Sequence, residues 1–202
     1  MSDMLAARQK MVDGQVRPSD VTDLRIIEAM LTVPRENFVP KDRQALAYLD
    51  LDIDVSEAGN AGASPVKAFL IKPAVLARML QAATIIDTDR VLVAGCATGY
   101  AAAIVSRLAS EVVETAPDKP AEGRPDKGPY DVIVLDGATE MVPEALYRQL
   151  KVGGRLVGVF ALSQPSRATL VTRSAADYGS RALFDATAPV LPGLVRVPAF
   201  AF

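Results

Sequence analysis

Three features of the 202-residue chain point to an α/β fold built on a mostly parallel sheet. The run Val91-Leu92-Val93-Ala94 is wholly apolar and breaks at Gly95 into a small-residue turn, Gly95-Cys96-Ala97-Thr98-Gly99, that opens a helix. A second apolar run over 130–135 ends at Asp136-Gly137 and passes through a helical segment into a third run over 155–160, the alternation of strand and helix that a parallel sheet requires. Half of the residues are hydrophobic, enough for a sizeable core.

The remaining elements follow in chain order. Residues 3–40 read as two helical pieces separated at 14–19; in the second, Asp20 or Thr22 can cap, Ile26, Ile27, Met30 and Leu31 form an apolar stripe, and Pro34 ends the helix. Residues 41–48 make a short helix or turn. The stretch 49–65 is an Asp-, Gly-, Ala- and Ser-containing loop whose length marks it as functional or mobile. Pro73 occupies a first helical position, with Val75, Leu76, Met79 and Leu80 giving the following helix one apolar face. After the glycine turn, a helix over 101–108 packs closely through its alanines, a strand spans 111–114, and 115–129 is loop. A helix over 143–150 leads to Gly153-Gly154, which turn into the third strand, and 167–174 with 181–186 form an antiparallel hairpin around 177–179. A division into an N-terminal helical extension with its loop, 1–72, and an α/β part, 73–202, fits this order.

Composition narrows the chemistry. Lysine and arginine total 22 against 24 acidic residues, a net charge of −2 with no basic block to follow a phosphate backbone, so nucleic acid is a poor partner. One cysteine builds neither an internal disulfide nor a zinc site, no apolar run reaches the roughly 18 residues of a membrane span, and the first ten residues lack a signal-like core; a cytoplasmic location is expected. The chain has no histidine, which removes the commonest general base and metal ligand and makes triad hydrolases and most transition-metal enzymes poor readings. Methyl transfer from a sulfonium to an oxygen nucleophile survives this filter, and so does a protein without catalysis. A dehydrogenase fits less well, because the turn lacks the full Gly-x-Gly-x-x-Gly pattern.

The small residues Gly95, Ala97 and Gly99 allow backbone N–H groups to approach a nucleotide-like ligand. Together with Val33-Pro34-Arg35-Glu36-x-Phe38-Val39-Pro40, Ala47-Tyr48-x-Asp50, Tyr100, the run Pro129-Tyr130-Asp131-Val132-Ile133 and Gln149-Leu150-Lys151-x-Gly153-Gly154, they give an ordered set in which the chain resembles the protein-L-isoaspartate O-methyltransferases. The resemblance implies a Rossmann-like methyltransferase sheet with an N-terminal helical extension, and a repair enzyme that methylates isoaspartyl carboxylates with S-adenosylmethionine. It places Gly95, Cys96, Ala97, Thr98, Gly99, Tyr100, Glu114 and Asp136 at the cofactor, Glu114 as a ribose-binding acid; no catalytic residue and no metal ligand is assigned.

Three departures set this chain apart from the family pattern. Where the family carries a serine that shapes the reacting end of the site stands Ile71, which can neither donate nor accept a hydrogen bond. Val93 replaces the acidic residue of the glycine motif. Between Glu114 and Pro129 there is room for about one loop, where the family has helix, strand and helix forming one wall of the adenosine pocket. The expectation drawn from these losses is a sheet shortened after its second strand, without a covered slot for an adenosyl group. The corresponding function is a protein with weak or no catalysis, serving a protein partner or larger assembly, with S-adenosylmethionine as cofactor if active and otherwise none bound. The alternative is an active S-adenosylmethionine-dependent protein carboxyl methyltransferase.

Individual residues leave alternatives open. Cys96 is either a reactive thiol at a helix start or a small filler of a tight turn. Asp136 either faces the ligand crevice or caps the next helix. Tyr48 and Asp50 either border a substrate channel or pack. Pro34, Arg35 and Phe38 fix the corner between extension and sheet, and 118–127 is a solvated loop.

Overall fold

The computed structural model describes residues 2–56, 67–116 and 118–196. Two short strands, β1 (Ile53–Asp54) and β2 (Phe69–Leu70), pair antiparallel ahead of the main sheet. The main sheet comprises β3 (Arg90–Ala94), β4 (Glu111–Glu114), β5 (Tyr130–Thr139), β6 (Leu150–Phe160), β7 (Arg167–Arg173) and β8 (Tyr178–Asp185), in the order β4-β3-β5-β6-β7-β8. The first four are parallel; β7 and β8 are the antiparallel hairpin expected from the sequence. Most of the loop expected over 49–65 lies outside the described residues, its beginning apart, where Ile53–Asp54 is strand.

The apolar runs are strands because both faces of the sheet centre are covered. Val91, Val93, Val132, Val134, Val157 and Val159 pack against α3 (Pro73–Ala83), α4 (Tyr100–Val105) and the N-terminal extension. Leu92, Ala94, Ile133, Leu135 and Leu156 face the other way, toward Leu146 of α5 (Glu144–Tyr147), Leu191 and Leu194. With no helix-strand-helix unit after β4, this second face is closed by one short helix, the loop before β5, and a C-terminal segment laid back over the sheet.

The extension starts with α1 (Ser2–Met11), which runs on through a π turn and a 3₁₀ turn to Ser19, so the expected break over 14–19 is itself helical. In α2 (Leu24–Thr32) neither Asp20 nor Thr22 is the cap: the Asp23 side chain accepts the Arg25 N–H. The backbone N–H groups of Thr22 and Asp23 instead donate to Gln81 Oε1, at 2.7 and 3.0 Å, and Gln81 Nε2 donates to the Asp20 carbonyl at 2.8 Å, tying the start of α2 to α3. Arg155 satisfies the end of α3 by donating to the Ala83 and Thr84 carbonyls while its Nη2 reaches the buried Asp89 carboxylate at 2.7 Å.

Two boundaries differ from the sequence reading. Helix α5 covers only Glu144–Tyr147 of the expected 143–150, because Leu150 already pairs with Tyr130; Gly153 and Gly154 sit inside β6 at a register shift rather than before it. Strand β5 does not stop at Leu135 but continues past Asp136-Gly137 through a second shift to Thr139, where Ala138 and Thr139 pair with Val159 and Phe160.

Candidate functional site

The sheet order makes the gap between β3 and β5 a topological switch point: the chain leaves β3 for β4 on one side, then returns to β5 on the other. Ligands of open α/β sheets bind in the crevice beyond the strand ends at such a point. Here the last registered pair is Ala94 with Leu135, so Gly95 and Asp136 follow side by side at the mouth. A cavity of about 290 Å³ opens there, lined by Gly95, Ala97, Asp118, Asp136, Phe69 and the segment 189–192. Residues 189–192, rather than an added flank, form one side of this crevice.

Gly95 has φ +85° and Gly99 φ +82°, the left-handed region where a side chain is strained, which is why glycine stands at both corners of the turn. The Gly95 N–H is not free for a ligand, since it donates to Thr115 Oγ1 at 3.1 Å, and Thr115 is a buried anchor that sequence reasoning missed. Thr98 Oγ1 accepts the Tyr100 N–H at 3.2 Å, closing the first turn of α4.

Cys96 is a filler. It is buried, and burial first, then the nearby Asp136 charge, pushes its thiol well above its ordinary value, the opposite of a reactive thiolate. Tyr100 does not reach the cavity. It is wholly buried beneath the Arg35 guanidinium, which lies 4.7 Å from its ring centroid, and Phe38 meets it edge-on at 5.4 Å. Glu114 ends the edge strand β4 with its side chain exposed and is absent from the cavity lining.

The corner residues act as expected. Arg35 is completely buried and donates from Nε to the Ala47 carbonyl and from Nη2 to the Ile71 carbonyl, both at 2.7 Å, so it clamps the extension, β2 and the glycine-turn tyrosine together. Tyr48 packs rather than lining a channel: its hydroxyl donates to Glu36 Oε2 and accepts from Arg8 Nε at 3.0 Å. Burial and the bond to Glu36 push it up to about 12. Asp50 is exposed and away from the cavity. The loop 118–127 is mostly solvated, yet Asp118 touches the cavity and Gln149 holds the loop.

Asp136 is the chemically distinctive group. It does not cap a helix: both carboxylate oxygens are buried without a hydrogen bond of ordinary geometry among the described residues, and burial pushes the group up to about 7 against the opposing pull of the Arg35 charge and of the weakly donating Cys96 thiol beside it, with the Glu114 charge adding to the rise. Ile71 is buried and contributes only its backbone carbonyl, and Val93 is core between β4 and β5. The site thus holds one buried carboxyl facing a small-residue turn, with the exposed Asp118 and Lys67 also at its lining. No cluster suited to a metal ion occurs among the described residues, and no described helix is long and apolar enough to cross a membrane.

Comparison with known proteins decides the lineage. The family model for protein-L-isoaspartate(D-aspartate) O-methyltransferase matches residues 6–117 and 113–181. The chain belongs to the protein-L-isoaspartate O-methyltransferase family. It is 32% identical over 174 residues to the protein-L-isoaspartate O-methyltransferase of Koribacter versatilis, covering 74% of each chain. To that of Gloeobacter violaceus it is 33% identical over 189 residues, 81% of this chain and 88% of the relative. A solved protein-L-isoaspartate O-methyltransferase superposes with a TM-score of 0.76 at 23% identity, over 92% of this chain and 66% of that one. A putative family member from Plasmodium falciparum, solved in complex with S-adenosyl-L-homocysteine, superposes at 0.69 with 14% identity over 93% and 97%. Family membership fixes the α/β methyltransferase fold with its antiparallel C-terminal strands.

Proposed function

We propose that this chain binds S-adenosylmethionine at the β3–β5 crevice and serves as a carboxyl methyltransferase acting on isoaspartyl residues of proteins. The observation that carries the reading is the coincidence, in a chain matched by the family model from residue 6 to residue 181, of the glycine turn and the unpartnered Asp136 in one cavity at the switch point.

S-adenosylmethionine, when bound, supplies a methyl group on a positively charged sulfur. The residues suit such a guest. Gly95 and Ala97 permit close backbone approach, and a buried carboxylate without a partner gains most from a cation, because its desolvation is already in place and lacks compensation. Asp136 thereby takes over on β5 the negative charge that Val93 cannot offer on β3. The accepting carboxylate of a substrate is ionised at neutral pH, so the chain needs no general base, in keeping with its lack of histidine; what it must provide is positioning and exclusion of water. The segment 189–192 lines the crevice on one side.

A second reading, a folded interaction module with weak or no catalysis, rests on Ile71: where the family pattern has a hydroxyl, this chain has an apolar side chain that is buried in the core and absent from the cavity lining. Radiolabelled methyl transfer to an isoaspartyl peptide, with the matching aspartyl peptide as control, separates the two. Selective labelling of the isoaspartyl peptide is the expected result; no labelling at saturating donor favours the module.

A further inference from the structure

The two glycines at the switch point turn their bare faces toward one side chain. A Cβ on Gly95 would lie 2.4 Å from Leu191 Cδ2, and one on Gly137 would lie 2.7 Å from the same atom. Leu191 is therefore seated between the ends of β3 and β5, on the surfaces where a ligand of this fold class approaches the backbone. Three hydrogen bonds hold it there as a strap: the Ala138 N–H donates to the Pro189 carbonyl at 2.8 Å, the Leu191 N–H to the Ala138 carbonyl at 2.9 Å, and the Glu140 N–H to the Leu194 carbonyl at 2.8 Å. Val190 and Pro192, on either side of it, line the cavity.

The space left is small. At about 290 Å³ the cavity lies just under the range of roughly 300–1,000 Å³ typical of ligand pockets, and the volume taken by the Leu191 side chain adjoins it directly. The strap is further fixed by the bridge of Val190 to Ala138, by Arg196, whose N–H donates to Glu140 Oε2 at 2.9 Å and whose Nη2 donates to the Leu162 carbonyl at 3.2 Å, and by the packing of Leu191 and Leu194 into the core.

We propose that Leu191 controls access to the donor crevice: it occupies the place between Gly95 and Gly137 that the ligand needs, and the ligand enters by lifting the 189–194 strap from β5. The proposal rests on the reading of the crevice as a donor site and adds that the chain's own C-terminal strap competes for it. Binding must then give up the burial of a leucine, a penalty that truncation removes.

The test pairs L191A with the volume-conserving L191M and uses S-adenosylhomocysteine as the probe, after thermal melting has established that both fold. L191A is expected to bind roughly tenfold or more tighter than wild type, with L191M close to wild type. In saturated wild type, hydrogen exchange at the amides of Ala138, Glu140 and Leu191 should accelerate as the strap lifts; if L191A does not fold, this measurement decides alone. Equal affinity in wild type and L191A, with those amides as protected as before, makes the strap a fixed wall and overturns the proposal while leaving the donor site standing. No binding to either protein at millimolar probe removes the donor-site reading, and the strap's role with it.

Discussion

Asp136 and Arg35 are the two residues whose burial is hardest to explain by packing. Arg35 is compensated in part, by two carbonyls and the face of Tyr100 with Nη1 left without a partner, and its place at the corner was readable from the Pro34-Arg35-x-x-Phe38 pattern. Asp136 has no such compensation, and its effect on stability follows from linkage. The folded-state value of about 7 lies above the ordinary 3.8, so between these limits the folded protein holds a proton that the unfolded chain has lost. Stability therefore falls as pH rises from about 4 to about 7 and levels off above; the sign is that of an acid whose folded value is raised. D136N removes this cost but leaves a buried amide without partners, so the net gain at pH 8 is on the order of 1–2 kcal/mol, shrinking toward zero near pH 4. Urea unfolding of both proteins from pH 4 to 9 checks it. Parallel curves would mean that Asp136 does not carry this burden. The sequence offered Asp136 as either crevice residue or cap, since only the bulged path of β5 past Gly137 decides which way its side chain turns.

At the scale of elements, the central strands were legible because both faces are buried, which turns alternation into uninterrupted apolar runs. The helix starts were less so: Asp23 wins the cap of α2 because Gln81, 58 residues further along, serves the neighbouring amides, a partner no local pattern reveals. The same holds for the loop before β5. Gln149 Nε2 donates to the carbonyls of Glu122 and Ala145 at 2.8 and 2.9 Å, and its Oε1 accepts the Arg124 N–H at 2.8 Å. One amide thus fastens the loop that stands in for a missing helix-strand-helix unit. Q149A should cost about 1–3 kcal/mol, the range for stranding buried polar groups, and should speed limited proteolysis within 118–127 well beyond the rest of the chain. Global loss of stability without preferential cleavage there would show that Gln149 supports the core rather than the loop.

For the whole molecule, the consequence of the short 115–129 connection was only half legible. The lost wall of the crevice is visible in the residue count, but its replacement is not, because the contact between Leu191 and Gly95 joins positions far apart in a chain with no strand or helix signal at 189–194. The second face of the sheet is consequently finished by α5, a pinned loop and the strap, while the first keeps α3, α4 and the extension. The expected absence of a covered adenosyl slot followed from counting residues in one connection; the C-terminal segment, from far along the chain, lines the cavity beside Gly95. Ile71 and Val93 are both buried in the core.

The central claim is that the β3–β5 crevice recognises the methyl donor through Asp136. Calorimetric titration of wild type and D136N with S-adenosylmethionine at pH 8 addresses it most directly, since D136N is expected to be the more stable protein there and weaker binding then cannot be ascribed to unfolding. The predicted result is saturable one-to-one binding to wild type and a loss of roughly tenfold or more in D136N, the value of one hydrogen bond to a charged group. Equal affinity in the two proteins, or no heat from wild type at millimolar concentration, would contradict it.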